Sequence, residues 1–347
     1  MMEGPGGEPI LAALPYRVIP GSVVWYPRAR FEEAGYEVPG SWEELLALSE
    51  QMVADGRTPW CIGIEAGAMT GQVATDWLES IMLRTAPPEA YEAWIRGDLP
   101  FSSPEVTNAT EIMAQIWFND PFVYDGTAAI TQIPIQESPL PMFEDPPGCW
   151  LHMQTPLVRE WIDEDLEPGV DYDFFMLPPI DEAFGAPLLA YGDYMALLND
   201  RPEAMALMEY LSTGWSTETW MRAGERVSPN LDTDIGLYPT DVDRRLAQVV
   251  LDAHDVRFDA SRMMPPEVGT QPFWQGMTDW VNGAASLETI LFNLDDAWLE
   301  LRGEPPPPQG DCHEDEVTCI ALVTSAGPVE DNAFNQAAWE GIQHGAE

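Results

Sequence analysis

The sequence predicts a mixed α/β fold for most of its 347 residues. Several segments carry apolar side chains at helical spacing, and short apolar runs typical of buried strands stand between them. A hydrophobic content of 45% in a chain of this length is enough to build the cores of two domains. Irregularly mixed helices and strands favour an α/β architecture over an all-helical or all-strand one.

The first elements in chain order are a strand over residues 18–26 and a helix that follows it. The helix begins after Ser41, which is a good N-cap residue, and Glu44 stands three positions on, as in a capping box. The apolar residues that follow recur at helical spacing.

Later helices and strands are predicted from the same two periodicities. Helical spacing occurs over residues 73–84, 88–95, 103–118, 202–211, 217–223, 239–254, 270–282 and 286–301. Short apolar runs predict strands over residues 61–64, 150–153, 174–177 and 194–198.

A proline-rich run marks a boundary near the end of the chain. Residues 303–319 include four consecutive prolines, which cannot continue a helix and form a stiff linker. Residues 320–347 contain one strand pattern and one helix pattern, too little for a core of their own. They are expected to be a fragment of a second domain.

The charge balance excludes some classes of partner. The chain has 59 acidic against 15 basic residues, for a net charge of −44, and every basic residue is arginine. Such a surface repels nucleic acid phosphates and anionic lipids. No apolar run reaches the roughly 18 residues that a membrane span needs, and the first residues lack the pattern of a signal peptide.

Four cysteines stand at positions 61, 149, 312 and 319. Cys61 and Cys149 both fall in predicted short strands, so a disulfide between them is geometrically feasible, and two buried free thiols are the alternative. We favour the disulfide, which would imply an oxidising compartment. Cys312, His313 and Cys319 could form part of a metal site, but a linker without metal is favoured, and no metal or cofactor is expected.

Four segments in order resemble the bacterial extracellular solute-binding proteins of ABC importers, a family that includes maltose-binding protein. They are residues 14–27 (LPYRVIPGSVVWYP) with 31–45 (FEEAGYEVPGSWEEL), 60–65 (WCIGIE), 187–197 (PLLAYGDYMAL) and 273–277 (FWQGM). The tail resembles the start of a basic membrane lipoprotein, a nucleoside-receptor family, at 320–324 (IALVT), 331–336 (DNAFNQ) and 338–341 (AWEG).

The resemblance implies a two-lobed periplasmic-binding-protein type II fold with an incomplete amino-terminal lobe. Residues 1–20 would form a hinge strand region, 21–190 the carboxy-terminal lobe, and 191–302 the hinge return with part of the other lobe. About the first hundred residues of the family's mature chain would be missing.

The function implied is capture of a sugar between two lobes and its delivery to membrane permease subunits. The protein would be a monomer outside the cytoplasm, periplasmic or extracellular, and whether a lipid anchors it through a missing start is left open.

Candidate ligand-binding residues follow from the same alignment. Trp150 and Trp274 fall where maltose-binding protein places stacking aromatics, and Glu65 falls where it places a hydroxyl-binding carboxylate. Three further candidates, in a helix after Glu65 and at the second hinge crossing, are Asp76, Trp77 and Asp193. The first hinge strand is apolar at residues 18–21, where relatives often have a polar ligand contact, and Arg17 could substitute.

Two other classes stay open from the residues alone. Paired carboxylates, of which the chain has many, could serve a glycoside hydrolase. A receptor for another small solute, such as a polyamine or a nucleoside, would use the same cleft. The sequence has no Gly-x-Ser-x-Gly motif, no phosphate-binding glycine-rich loop and no lysine, so nucleophilic and phosphoryl-transfer chemistry are not indicated. Binding without catalysis is therefore the favoured interpretation.

Overall fold

The computed structural model describes residues 2–3, 9–10, 13–197, 201–224 and 226–303. The chain divides into two compact units, Met1–Trp298 and Leu299–Glu347, and the core and the cleft presented below lie in the first. The predicted tail fragment, the linker from residue 304 onward, Cys312 and Cys319 lie outside the described residues.

Helices and strands alternate irregularly, which confirms the predicted mixed class. The strands are β1 Met2–Glu3, β2 Pro9–Ile10, β3 Leu14–Pro20, β4 Val23–Tyr26, β5 His152–Met153, β6 Asp173–Met176, β7 Leu188–Met195 and β8 Val256–Phe258. The α-helices are α1 Arg28–Glu33, α2 Trp42–Ala54, α3 Gln72–Met82, α4 Pro88–Ile95, α5 Pro104–Trp117, α6 Pro202–Leu211, α7 Glu218–Met221, α8 Asp241–Asp252, α9 Ala260–Met263, α10 Trp274–Val281 and α11 Leu287–Arg302.

The strands of the described residues form two three-stranded sheets and one antiparallel pair, β1 with β2. One sheet has the order β3-β7-β8, with β7 antiparallel to β3 and parallel to β8. The other has the antiparallel order β5-β4-β6. The predicted strand over 18–26 is therefore two strands in different sheets, and the break falls at Ser22, whose φ of 56° turns the chain.

Local capping determines where α2 begins. Ser41 accepts a hydrogen bond from the backbone N–H of Glu44, as predicted for an N-cap. The Glu44 carboxylate accepts from the N–H of Gly40, one residue before the cap, so the reciprocal half of the capping box is displaced by one position.

Two hydrophobic clusters hold the described residues together. The larger contains indole rings packed edge to face, with the Trp60 and Trp77 centroids 5.0 Å apart and those of Trp77 and Trp117 5.8 Å apart. The smaller packs Trp25 and Met142 around Cys61 and Cys149, which are joined by a disulfide with their Cα atoms 5.4 Å apart. Each cysteine is also buried in this cluster.

No helix in the described parts of the chain is long and apolar enough to cross a membrane.

The high negative charge of the chain predicts that its stability depends on salt. Because like charges repel in the compact state and salt screens them, raising NaCl from 0.05 to 1 M is expected to raise the melting temperature by several degrees. Differential scanning calorimetry measures the shift, and an unchanged or falling melting temperature would contradict the expectation.

Candidate functional site

A cleft of about 550 Å³ opens beside β7, where segments distant in sequence meet. Aromatic rings and polar side chains share its wall. The aromatic lining residues are Trp161, Tyr191, Tyr194 and Phe258, and the polar ones include Glu65, Gln72, Gln136, Gln154, Thr155, Asp193, Asp259 and Arg262.

Strand pairing brings part of this wall together. In β7, Tyr191 and Asp193 are two residues apart and therefore project from the same face. Ile19 of β3 pairs with Tyr191, and Phe258 of β8 pairs with Ala190 on the other side of β7. Pairing of β3, β7 and β8 therefore brings Ile19, Tyr191 and Phe258 to the same cleft.

Asp193 lies on the cleft, and its carboxylate is ion-paired with Arg17 directly opposite on β3. Both side chains are partly exposed, at 49% and 33%. An exposed ion pair adds little to stability. The main effect of this ion pair is on charge, because the Arg17 guanidinium neutralises the Asp193 carboxylate where β3 pairs with β7.

Glu65 also lines the cleft, and its backbone is fixed on both sides. Its N–H donates to Ile133 and its carbonyl accepts from Ile135, at 3.0 and 2.9 Å. Its side-chain Oε1 accepts from the N–H of Gly67 at 3.0 Å. One carboxylate oxygen thereby stabilises the loop that carries it.

The three tryptophan candidates do not line the cleft. Trp77 is a core residue between Trp60 and Trp117. Trp150 is 4% exposed and faces a different depression, where the Arg57 guanidinium lies 4.5 Å from its ring centre.

Trp274 lies one layer behind the cleft. Its indole Nε1 donates to the Ser261 hydroxyl at 3.1 Å, and the Arg262 guanidinium lies 5.8 Å from its ring centre. Gly71 approaches its backbone so closely that a Cβ would come within 2.0 Å of the Trp274 carbonyl oxygen. Trp274 therefore supports the wall residues without forming the wall.

Two buried carboxylates, Asp76 and Glu79, lie behind the part of the wall formed by Asp259, which is itself buried. Glu79 accepts from the backbone N–H groups of Ala260 and Ser261 at 2.9 and 3.0 Å, which holds the start of α9 against α3. Asp76 is buried on the same helix as Glu79, and the Tyr191 hydroxyl donates to it. One oxygen of Asp76 has no hydrogen-bond partner.

The environment of these acids disfavours their charged forms. Burial raises the pKa of Asp76 and Glu79 well above the usual carboxyl range, and the nearby Asp259 charge adds to both shifts. Burial also raises the pKa of Asp259, although hydrogen bonds from Ser261 and Arg262 oppose this shift.

In the described parts of the chain, no group of three or more histidine, cysteine or acidic residues is arranged to hold a metal ion.

These shifts predict that mild acid stabilises the fold. An acid whose pKa is higher in the folded than in the unfolded state favours folding below its ordinary pKa, near 4. That contribution is lost as pH rises towards the folded value. Lowering the pH from 7.5 to 5.5 is therefore expected to raise the melting temperature by about 2 °C or more.

Thermal melts at 0.5 M NaCl reduce the contribution of general charge repulsion. In the Asp76→Asn variant one of the three acids no longer titrates, so the melting temperature should depend less on pH. A melting temperature that falls on acidification over this range would refute the prediction.

Sequence reasoning missed the aromatic residues and Arg262 on this wall. Tyr191 and Tyr194 stand beside Asp193 in the sequence, at the predicted second hinge crossing and at the start of the strand predicted over 194–198, but nothing in that pattern separates a ligand-facing ring from a buried one. Asp259 and Arg262 carry no local signal, because contacts distant in sequence bring them to the cleft, namely the parallel pairing of β7 with β8 and the hydrogen bonds of Glu79 to the start of α9.

The chain matches the family model of bacterial extracellular solute-binding proteins over residues 3–213. It is 42% identical over 283 residues to the osmoprotective compounds-binding protein GgtB of Synechocystis sp., covering 82% of this chain and 67% of GgtB. It is 38% identical over 302 residues to the alpha-glucosides-binding periplasmic protein AglE of Rhizobium meliloti, covering 86% of this chain and 66% of AglE. The chain thus spans about two thirds of the length of these relatives.

Solved structures share the fold at low sequence identity. The bacterial solute receptor AcbH, which prefers β-D-galactopyranose, superimposes with a TM-score of 0.68 at 17% identity, over 84% of this chain and 72% of AcbH. A chitin oligosaccharide binding protein gives 0.69 at 16% identity with the same coverage. Family match, curated relatives and fold agree, and the chain belongs to the bacterial extracellular solute-binding proteins.

Proposed function

We propose that this protein is the solute-binding component of an ABC importer and that it captures an α-glucoside or a related polyhydroxylated osmolyte in the cleft beside β7. The observation that carries the proposal is the mixed wall of that cleft, which contains aromatic rings together with amide and carboxylate side chains. The two curated relatives are named for osmoprotective compounds and for alpha-glucosides.

The physical match is between a sugar's two kinds of surface and two kinds of side chain. The C–H faces of a pyranose ring pack against aromatic rings, here Trp161, Tyr191, Tyr194 and Phe258. The hydroxyl rim needs acceptors and donors in fixed positions, which Glu65 and the cleft glutamines supply. A volume of about 550 Å³ suits a mono- or disaccharide within the range of small-molecule sites.

Capture would involve closure of two lobes about the crossing strands β3 and β7. We assign residues 21–190 to one lobe and residues 191–302 to the hinge return and part of the other. A ligand held by both lobes stabilises the closed form, which a membrane permease then recognises.

The disulfide supports a location outside the cytoplasm, and the charge of −44 supports a receptor without nucleic acid partners. We propose that it acts as a monomer.

A polyamine receptor is the alternative that the same cleft allows. Three carboxylates line it, Glu65, Asp193 and Asp259. Asp193 is already paired with Arg17, and Arg262 places a guanidinium on the wall itself. The remaining charge is small for a ligand with three or four ammonium groups, and the aromatic wall favours a sugar.

Calorimetric titration of the full 347-residue chain tests the proposal. The panel is maltose, sucrose, trehalose and methyl α-D-glucopyranoside, with spermidine and glycine betaine as cationic and zwitterionic comparators. We expect saturable binding of at least one glucoside without sugar release in a product assay. Tight binding of spermidine alone, hydrolysis, or no binding across the panel would each overturn the proposal.

A matched pair of variants locates the binding surface. Trp161→Ala removes an aromatic ring from the cleft and is expected to weaken glucoside binding roughly tenfold, because a stacked ring contributes on the order of 1 kcal/mol beyond its buried area. Trp215→Ala removes an indole that is 80% exposed and outside the cleft. The affinity of Trp215→Ala for the glucoside should equal that of the wild type. Equal losses of affinity in both variants would mean that the glucoside does not bind in this cleft.

A further inference from the structure

Asp259 presents two carboxylate oxygens in very different surroundings. Oδ1 accepts hydrogen bonds from the Ser261 hydroxyl at 2.7 Å and from the Arg262 backbone N–H at 2.8 Å, so it caps α9. Oδ2 has no hydrogen-bond partner, although the residue is only 2% exposed and belongs to the cleft wall. A buried acceptor without a donor costs about 1–3 kcal/mol, more when it is charged.

The nearest cation to this oxygen is Arg262. Its Nε lies 3.3 Å from Oδ2, close enough for an ion pair but outside hydrogen-bond geometry. The Arg262 side chain is 48% exposed and lines the cleft, with its guanidinium 5.8 Å from the Trp274 ring centre. An acceptor without a donor therefore lies beside a guanidinium that can donate.

The supporting residues hold this acceptor in place before any ligand arrives. Glu79 binds the backbone of Ala260 and Ser261, the two residues after Asp259. The Ser261 hydroxyl, which donates to Oδ1, also accepts from Trp274. An oxygen fixed by such contacts does not need to be ordered by the ligand, which favours binding.

The charges select the chemical class of the ligand group. A cation would be attracted to Asp259 but repelled by Arg262, and an anion would meet the reverse. A neutral pair of adjacent hydroxyls satisfies both, because one hydroxyl donates to the carboxylate while the oxygen of the other accepts from the guanidinium.

Resting on the function proposed above, we propose that Asp259 Oδ2 and the Arg262 guanidinium form the subsite that recognises two adjacent hydroxyls of a pyranoside ring. Glu79, Ser261 and Trp274 are positioning residues for this subsite. Asp259 and Arg262 determine specificity for a vicinal diol over charged osmolytes.

The Asp259→Asn variant tests the acceptor alone. Asparagine keeps an oxygen for the two bonds that cap α9 and replaces Oδ2 by an NH₂ group, which cannot accept. The Kd for maltose of the full chain is expected to rise at least about tenfold, the effect of losing one hydrogen bond to a charged group. Arg262→Gln should weaken maltose binding by a similar factor.

The matched control is Asp234→Asn, which removes the same charge from another helix cap. Asp234 accepts from the N–H of Gly236 at 2.9 Å and lies outside the cleft. Its Kd for maltose should stay within twofold of the wild type. The melting temperature of each ligand-free variant shows whether a change in affinity reflects lost folding.

Competition by the 2-, 3-, 4- and 6-deoxy forms of methyl α-D-glucopyranoside tests the adjacency. Loss of the hydroxyl at either of two neighbouring positions should weaken binding to the wild type. One of these two deoxy sugars should lose nothing further in Asp259→Asn, and the other should lose nothing further in Arg262→Gln. A Kd for maltose unchanged in Asp259→Asn, while the wild type binds maltose, would overturn this subsite and leave the proposed function standing. No binding of any sugar by the wild type would overturn both, and stronger binding of glycine betaine than of maltose would replace the diol by a charged ligand.

Discussion

Removal of the Cys61–Cys149 disulfide is expected to lower the free energy of unfolding by about 4 kcal/mol, and the melting temperature by roughly 10 °C. The two cysteines are separated by 88 residues, so the bridge closes a long loop and restricts the unfolded chain strongly. Both residues are buried, at 1% and 0% exposure, in the smaller cluster. The double variant Cys61→Ser/Cys149→Ser, followed by urea unfolding, measures the effect.

The double alanine variant is the control for burying two hydroxyl groups. If the serine variant loses much more stability than the alanine variant, the excess reflects unsatisfied hydroxyls and not the lost crosslink. Wild-type protein unfolded in reducing agent should match the alanine variant. A loss below about 1 kcal/mol in all three experiments would contradict a stabilising role of the bridge.

The helices that sequence predicted best carry strong local signals. Both α4 and α6 begin with proline at the first helical position and have the predicted bounds, Pro88–Ile95 and Pro202–Leu211. Such signals act over a few residues and do not depend on the rest of the fold.

Strands were less predictable because their partners are distant. The run 61–64 forms no regular strand. The backbone N–H of Cys61 donates a hydrogen bond to the carbonyl of Leu151, and that of Ile64 donates to the carbonyl of Ile130, which lies in a separate segment. The strand predicted over 194–198 is instead Leu188–Met195 as far as the chain is described, and pairing with β3 and β8 determines these bounds. Apolar character alone cannot reveal which partner a run will find.

The same limit explains the candidate site. Glu65 and Asp193 were predicted from family motifs, and the structure places both on the cleft. Asp259 depends on a contact between Glu79 and residues about 180 positions later, which no local pattern encodes. The tryptophan candidates lie in the core or behind the cleft wall. A tryptophan in the sequence does not show which role it has, because its large apolar ring suits a buried core as well as it suits stacking on a ligand.

A second large effect is expected at Arg84, which is 1% exposed and whose guanidinium donates hydrogen bonds to backbone carbonyls. Its guanidinium donates to the carbonyls of Leu177 and Pro178, just after β6, and of Ser80 in α3, at 2.8–3.1 Å. Burial lowers the pKa of Arg84 to about 9, so the side chain remains charged at neutral pH. It thereby connects α3 to the end of β6.

Arg84→Met should lower the free energy of unfolding by about 3 kcal/mol, because methionine fills much of the volume but leaves these buried carbonyls without donors. Relief of a desolvated charge opposes this loss only in part, since the backbone oxygens remain and cannot rotate to water. Arg222→Met, on an exposed side chain with one ion pair within its own helix turn, is the control and should cost less than about 0.5 kcal/mol. Equal urea midpoints for the two variants would mean that water reaches the Leu177 and Pro178 carbonyls, and the buried guanidinium would then contribute packing without specific hydrogen bonding.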